Sequence, residues 1–349
     1  MAYRGFTLPK KIFSWSNIVF MALCAAVFYF VVHNFTELKN VHVLFSQIDG
    51  WWIAAAVAAQ VLTYLSTATL YYSVTNNVKE KTSITLPAFF KLAIVIMFIN
   101  QIVPSGGLGG NGFFYSEMRK RGLAAKKAFF VIIMDCLALY VSLGLLLLIL
   151  PAWYLSVAKH MPNVFYYVCI FGFLLYGGLA AVITIVSHQE TLQYAIAKLS
   201  RIKFLAKRLK KARLSDEEIF QDYGTKGPWG IFLKYKTVSW GAVLCQLAVF
   251  FADSFTIFAL LEGLHVHVSF LVIAFGLLLT FVAAALPISP GALLVYEGAM
   301  TFFYASMGMP FQAALIVTLL YRVLSFWIPI VAGLVLYKHV QTDAVEPVL

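Results

Sequence analysis

The sequence predicts an all-α polytopic membrane protein of about eight membrane segments, two of them broken in the middle. Three observations predict it. Hydrophobic residues make up 62% of the 349 positions and charged residues only 12%, well outside soluble averages. The apolar residues gather into runs that meet the roughly 20-residue requirement of a membrane helix. Two runs are interrupted by proline and glycine, at Pro104-Ser105-Gly106-Gly107-Leu108-Gly109-Gly110-Asn111-Gly112 and at Pro287-Ile288-Ser289-Pro290-Gly291. Proline removes a backbone donor and glycine weakens a helix. In lipid, the groups so freed need protein, water or ligand as partners. Paired broken helices in two halves of a chain point to a transporter-type binding site.

In chain order the segments are 12–35, 51–74, 86–118 (broken), 129–150, 164–187, 237–262, 268–307 (broken) and 311–337. The first is long enough to span, so no cleaved signal is expected. The broken runs, 33 and 40 residues long, exceed one straight span. Each reads as a re-entrant hairpin that enters and leaves on one side. The whole chain, 1–349, is expected to form a single transmembrane domain, with a basic cytoplasmic loop at 188–236 too short to be a soluble catalytic domain.

Charge sets the orientation. With a cytoplasmic N-terminus and two hairpins, the inner segments hold 22 lysines and arginines and the outer loops only Lys39 and Lys159. Eight full crossings would give 17 inside and 7 outside. The positive-inside rule favours the hairpins, with both termini cytoplasmic in a cell inner membrane. The first hairpin then enters from the cytoplasm, because Arg119-Lys120-Arg121 follows it, and the second from the other side. The formal charge of +11 is thereby assigned to cytoplasmic loops, not to nucleic-acid binding. Within 198–213, eight basic residues and no acid accompany Leu199, Ile202, Ala206 and Leu209 at helical spacing. That segment reads as an amphipathic helix on anionic inner-leaflet lipid.

The two broken units align. With Pro104 placed on Pro290 and no gaps, Leu108 meets Leu294, Gly122 meets Gly308 and Ala128 meets Ala314. Units 86–150 and 268–337 are therefore read as an inverted repeat.

Few residues in these runs carry chemistry. Arg322 sits near mid-bilayer in the last run. A centred arginine costs about 2.5–3.5 kcal/mol on insertion scales and faces a cavity or a partner. Glu297, its first-choice partner, follows Pro290 by two helical turns, and the alignment sets Asn111 opposite it. Asp135 and Asp253 are the other acids in apolar helices, able to pair, bind a cation or carry a proton. The glycines Gly106, Gly107, Gly109 and Gly110, with Pro104 and with Pro290-Gly291, would expose helix N-termini suited to phosphate. Tight helix packing is the alternative use of such small residues. Asn100 and Gln101 are read as partners for freed backbone groups. Gly107 to Gly112 fits GxGxxG, but no βαβ unit surrounds it, and no Walker lysine follows. No ATPase, no metal site and no cofactor is expected. The four cysteines lack CxxC spacing.

At Pro104 to Asn111, at Pro290-Gly291-Ala292-Leu293-Leu294-Val295-Tyr296-Glu297 and at Tyr321-Arg322 the chain resembles the flippase-like transmembrane region of lysylphosphatidylglycerol synthases, over about residues 12–340. The resemblance implies eight or so membrane segments and lipid movement between leaflets. Full-length synthases add a soluble aminoacyl-transfer domain. No such domain is read in this sequence, so aminoacyl transfer is not carried over and no enzyme activity is expected. Members often place an arginine after each broken segment; here Arg322 supplies one and Asp135-Cys136 replaces the other. The expected function is a lipid translocase for a phosphate-bearing head group. The rivals are a secondary transporter of a small anion and a non-catalytic partner of a lipid-synthesis enzyme. A homo-oligomer is also open.

Overall fold

A computed structural model describes residues 49–77, 84–103, 107–158, 160–186, 227–285 and 292–342. The first predicted segment, the 198–213 basic segment, and Pro104, Gly106, Pro290 and Gly291 lie outside them.

Every described element is helical: α1 Gly50–Asn76, α2 Leu86–Ile102, α3 Leu108–Lys120, α4 Ala125–Ala158, α5 Asn163–Val186, α6 Gly227–Lys234, α7 Lys236–Gly263, α8 Phe270–Ala284, α9 Val295–Ser306, α10 Phe311–Arg322 and α11 Ile328–Thr342. A five-residue π-helical segment, Val323–Trp327, joins the last two. Among the described residues, five helices are long and apolar enough to cross a membrane: α1, α4, α5, α7 and the continuous run from α10 into α11. The protein is therefore a multi-pass membrane protein. α2 and α8 are shorter apolar helices of 17 and 15 residues, about 25 and 22 Å at 1.5 Å per residue. Neither reaches the ~30 Å of a hydrocarbon core.

The helix boundaries follow from local chemistry. Asp49 caps α1 by accepting from the Trp51 N–H at 3.2 Å. α2 opens with a proline in its first turn, where the missing N–H has no helical partner to lose. Hydroxyls inside the apolar helices bond back to carbonyls four residues earlier, as Thr63 does to Ala59, Ser142 to Ala138 and Thr280 to Gly276. That disposes of polar groups that lipid would penalise.

The two broken units end alike. After α3, the Gly122 N–H bonds to the Arg119 carbonyl and the Leu123 N–H to that of Met118. After α9, Gly308 bonds to Ala305 and Met309 to Tyr304. Gly122 and Gly308 both take left-handed backbone, φ 81° and 95°, the conformation a Schellman cap needs and glycine adopts freely. Adding 186 to each number in the first set gives the second. The same shift carries the first residue of α1 onto that of α7, and the first of α4 onto that of α10.

Two apolar cores divide the molecule. One gathers α8, α9, α10 and α5 with the C-terminal halves of α4 and α7. The other gathers α2, α3 and α11 with the C-terminal half of α1 and the N-terminal halves of α4 and α7. Long helices thus run through both, while each short-helix pair is confined to one. α2 packs on α3, and α8 on α9. α1 and α7 make the most extensive helix pairing of all.

Candidate functional site

Arg322 is the last residue of α10, directly before the backbone widens into the π-helical segment. Its Nε donates to Glu297 Oε1 at 2.6 Å. The guanidinium lies over the rings of Tyr296 and Phe326, 4.7 and 4.2 Å from their centroids. The Arg322 side chain is 8% exposed and that of Glu297 18%. The structure thus brings together two predicted residues, an arginine and an acid, between aromatic faces that favour a cation.

Glu297 does not lie two turns into its helix, as the sequence predicts. Ala292 and Leu294 have φ of 51° and 71°, which a right-handed helix cannot contain. α9 therefore starts at Val295, and Glu297 occupies its first turn. Glu297 Oε2 accepts the Leu294 N–H at 2.6 Å. One carboxylate closes the helix N-terminus, where its charge is favoured, and holds the arginine.

The other half repeats this contact in neutral form. Asn111, in the first turn of α3, donates to Cys136 Sγ at 3.8 Å. The 186-residue shift carries Asn111 onto Glu297 and Cys136 onto Arg322. Gly107 caps α3 with φ 89° and open space where a Cβ would stand. Gly109 lies in the same first turn. Gly110 is not open: its N–H donates to Asn100 Oδ1 at 2.8 Å. One of the N–H groups expected to face a phosphate is thus occupied by a side chain from the end of α2. Gln101, next along, donates to the Ser325 carbonyl inside the π-helical segment at 2.9 Å. The turn that precedes the first break is thereby tied to the turn that follows Arg322.

Asp135 and Asp253 do not pair with Arg322. Asp253 on α7 accepts from Gln60 Nε2 at 2.9 Å and from Thr63 Oγ1 at 3.1 Å, both on α1. Tyr321 lies beside Asp253 and stacks on Tyr296, with ring centroids 6.2 Å apart. Asp135 on α4 accepts from Gln246 Nε2 of α7 at 2.7 Å and from the Tyr71 hydroxyl of α1 at 3.3 Å. Gln60 and Gln246 correspond under the same shift, and each reaches an acid on another helix.

Sequence reasoning passed over Gln60, Gln246, Tyr71 and Glu117. Glu117 is fully buried and holds Lys120 and Arg121, each at 3.3 Å. Arg121 in turn donates to the Val340 carbonyl at 3.2 Å, fixing α3 to the end of α11. The spacing of Glu117 to Lys120 and Arg121, three and four residues on, was a visible signal. A glutamine in the middle of each of two apolar runs was another.

A family model described as the transmembrane region of lysylphosphatidylglycerol synthase matches residues 17–333. The chain belongs to that family. No curated protein matches it. Membership of the lysylphosphatidylglycerol synthase transmembrane family accounts for the helical membrane architecture and carries a lipid-related role. Both broken runs, 86–118 and 268–307, and the Arg322–Glu297 pair fall inside the matched region.

Proposed function

We propose that this chain is a lipid translocase that moves a phosphate-bearing head group between leaflets of a cell inner membrane, without a reaction or an ATPase of its own. The observation that carries it is Arg322. A buried arginine within a membrane span, paired with an acid and lying against two aromatic faces, is costly unless it serves. The planar guanidinium has the geometry to take a phosphate in exchange for Glu297.

The architecture supports alternating access. The two units related by the 186-residue shift are read as an inverted repeat, and each short-helix pair as a re-entrant hairpin. The ends of α1, α4, α7 and α11 that join the α2–α3 core are the basic ones, next to Lys79, Arg119 to Arg121, Lys236 and Lys338. That core is assigned to the cytoplasmic side, and the α8–α9 core to the opposite side.

One feature favours a lipid over a small soluble anion. An apolar groove of about 590 Å³ is lined by Trp327, Val331, Val335 and neighbours on α11, starting one turn past Arg322. A head group at Arg322 could keep its acyl chain in that groove and in the bilayer.

The test is movement of fluorescent phosphatidylglycerol in proteoliposomes, read by quenching of the outer leaflet. The wild-type chain should equilibrate the label, and Arg322→Ala should not, although it inserts at least as well. An Arg322→Ala protein that moves lipid at the wild-type rate would refute the assignment. Uptake of labelled phosphate without lipid movement would favour the anion transporter.

A further inference from the structure

The two remaining membrane acids are unlike Glu297. Among the described residues, neither Asp253 nor Asp135 has a lysine, arginine or histidine within 4.0 Å. Their partners are neutral: Gln60, Thr63 and Tyr321 around Asp253, and Gln246 and Tyr71 around Asp135. Asp253 is 8% exposed. A carboxylate in an apolar interior with no counter-charge is costly, and such groups bind a proton instead. Several partners suit both states. The hydroxyls of Thr63, Tyr71 and Tyr321 donate to a carboxylate and accept from a carboxylic acid by rotating one O–H bond. A fixed guanidinium could not.

Position adds to this. Each acid belongs to a different half of the molecule. Asp135 sits on α4 among Met134, Leu137 and Ala138 of the core assigned to the cytoplasm. Asp253 sits on α7 between Phe250 and Ile257 of the other core. Gln246 and Asp253 are seven residues apart on α7, two turns along one face, or about 10 Å. On the facing helix, Gln60, Thr63, Thr67 and Tyr71 recur every three or four residues and form one stripe. Its first end touches Asp253 and its last touches Asp135. Under the 186-residue shift Thr67 corresponds to Asp253, so the stripe on α1 matches the face of α7 that carries Gln246 and Asp253.

We propose that Asp253 and Asp135 are proton-binding stations at the two ends of the polar stripe on α1, and that proton transfer between them couples transport to the transmembrane proton gradient. A hydronium ion on one side gives up a proton and leaves water, an O–H bond forms at the nearer carboxylate, and that bond breaks as the proton passes by way of the second carboxylate to water on the other side. No substrate bond is made or broken. The other titratable or charged groups that face the stations are Tyr64, Tyr296, Glu297 and Arg322 near Asp253, with Cys136 and Tyr140 near Asp135. The proposal rests on the lipid reading for its cargo but not for its proton sites.

The experiment has two arms. Infrared difference spectroscopy of the purified chain between alkaline and acidic buffer, without any substrate, should show protonated-carboxyl bands that appear as the pH falls and that Asp253→Asn and Asp135→Asn each diminish. In vesicles of phosphatidylglycerol and phosphatidylethanolamine with trapped pyranine, an imposed pH gradient should drive proton flux. It should also drive fluorescent phosphatidylglycerol away from an equal leaflet distribution. One proton per lipid sets a ceiling of about tenfold per pH unit. In either Asn variant the lipid distribution should no longer respond to the gradient. Carboxyl bands absent from the folded wild type, or Asn variants that retain the full gradient response, would overturn the proposal. Proton bands and proton flux that the Asn variants lose, with no lipid movement by the wild type, would support the stations and sink the lipid reading.

Discussion

Replacing Arg322 and Glu297 by glutamine, singly and together, tests whether the 2.6 Å contact is an energetic unit. Removing one partner of a buried pair leaves the other uncompensated, at about 3–5 kcal/mol. Glu297 is 18% exposed and Arg322 only 8%, so Arg322→Gln should fall toward the lower end, since its orphan Glu297 can reach water. Glu297→Gln strands the less exposed guanidinium, but the Tyr296 and Phe326 rings at 4.7 and 4.2 Å return about 0.5–2 kcal/mol. Each single change should therefore cost about 3 kcal/mol. The double variant should cost less than their sum by about 1–3 kcal/mol, the range of coupling seen for residues in contact. The assay is reversible unfolding in detergent, followed by intrinsic fluorescence, with all four proteins on one preparation. Additive losses within about 0.5 kcal/mol would refute the pairing and the site built on it.

Two further expectations concern backbone and tether. Gly122→Ala and Gly308→Ala meet no atom within 4 Å, so each should lose only the positive-φ term, about 1–3 kcal/mol, and by similar amounts; unequal midpoint shifts in the same assay would argue against equivalent caps. Gln101→Leu removes the bond to the Ser325 carbonyl and should cost about 1 kcal/mol of stability while slowing lipid movement several-fold; unchanged transport with the stability loss would leave Gln101 a purely structural tie.

Much of the architecture was legible because lipid imposes it. Composition and run length marked the membrane segments, and α5, α7 and the run from α10 into α11 fall within a few residues of the reading. The ends of the broken units were harder. Ala292 and Leu294 adopt left-handed backbone without being glycine, so nothing in the sequence delayed the start of α9 or moved Glu297 into its first turn. Arg322 was legible because charge in an apolar run has few explanations. Gln60 and Gln246 were not, since uncharged amides barely alter hydropathy and their partners lie 193 and 111 residues away. The ion-pair spacing of Glu117 was legible in Glu-Met-Arg-Lys-Arg, but its full burial was not, because that segment reads as a solvated helix end.

The polar groups collect where the two cores meet. On α1, Gln60 and Thr63 separate Ala56 of one core from Ala68 of the other. On α7, Gln246 separates Val243 from Phe250, and on the last helix Arg322 and Ser325 separate Tyr321 from Ile330 and Leu336. An apolar seam of this extent would weld the cores through burial and close packing. A polar seam exchanges one hydrogen-bond partner for another at a net difference of only about 1 kcal/mol. For the proposed translocation, in which two halves would rock against each other around a head group, the second kind of seam is the workable one. The halves are not equivalent along it. Glu297 and Arg322 make a charged contact where Asn111 and Cys136 make a neutral one. A phosphate should therefore have one strong station and one weak one. A single strong station reached alternately from each side binds and releases the same cargo. Two equally strong stations would hold it at both ends.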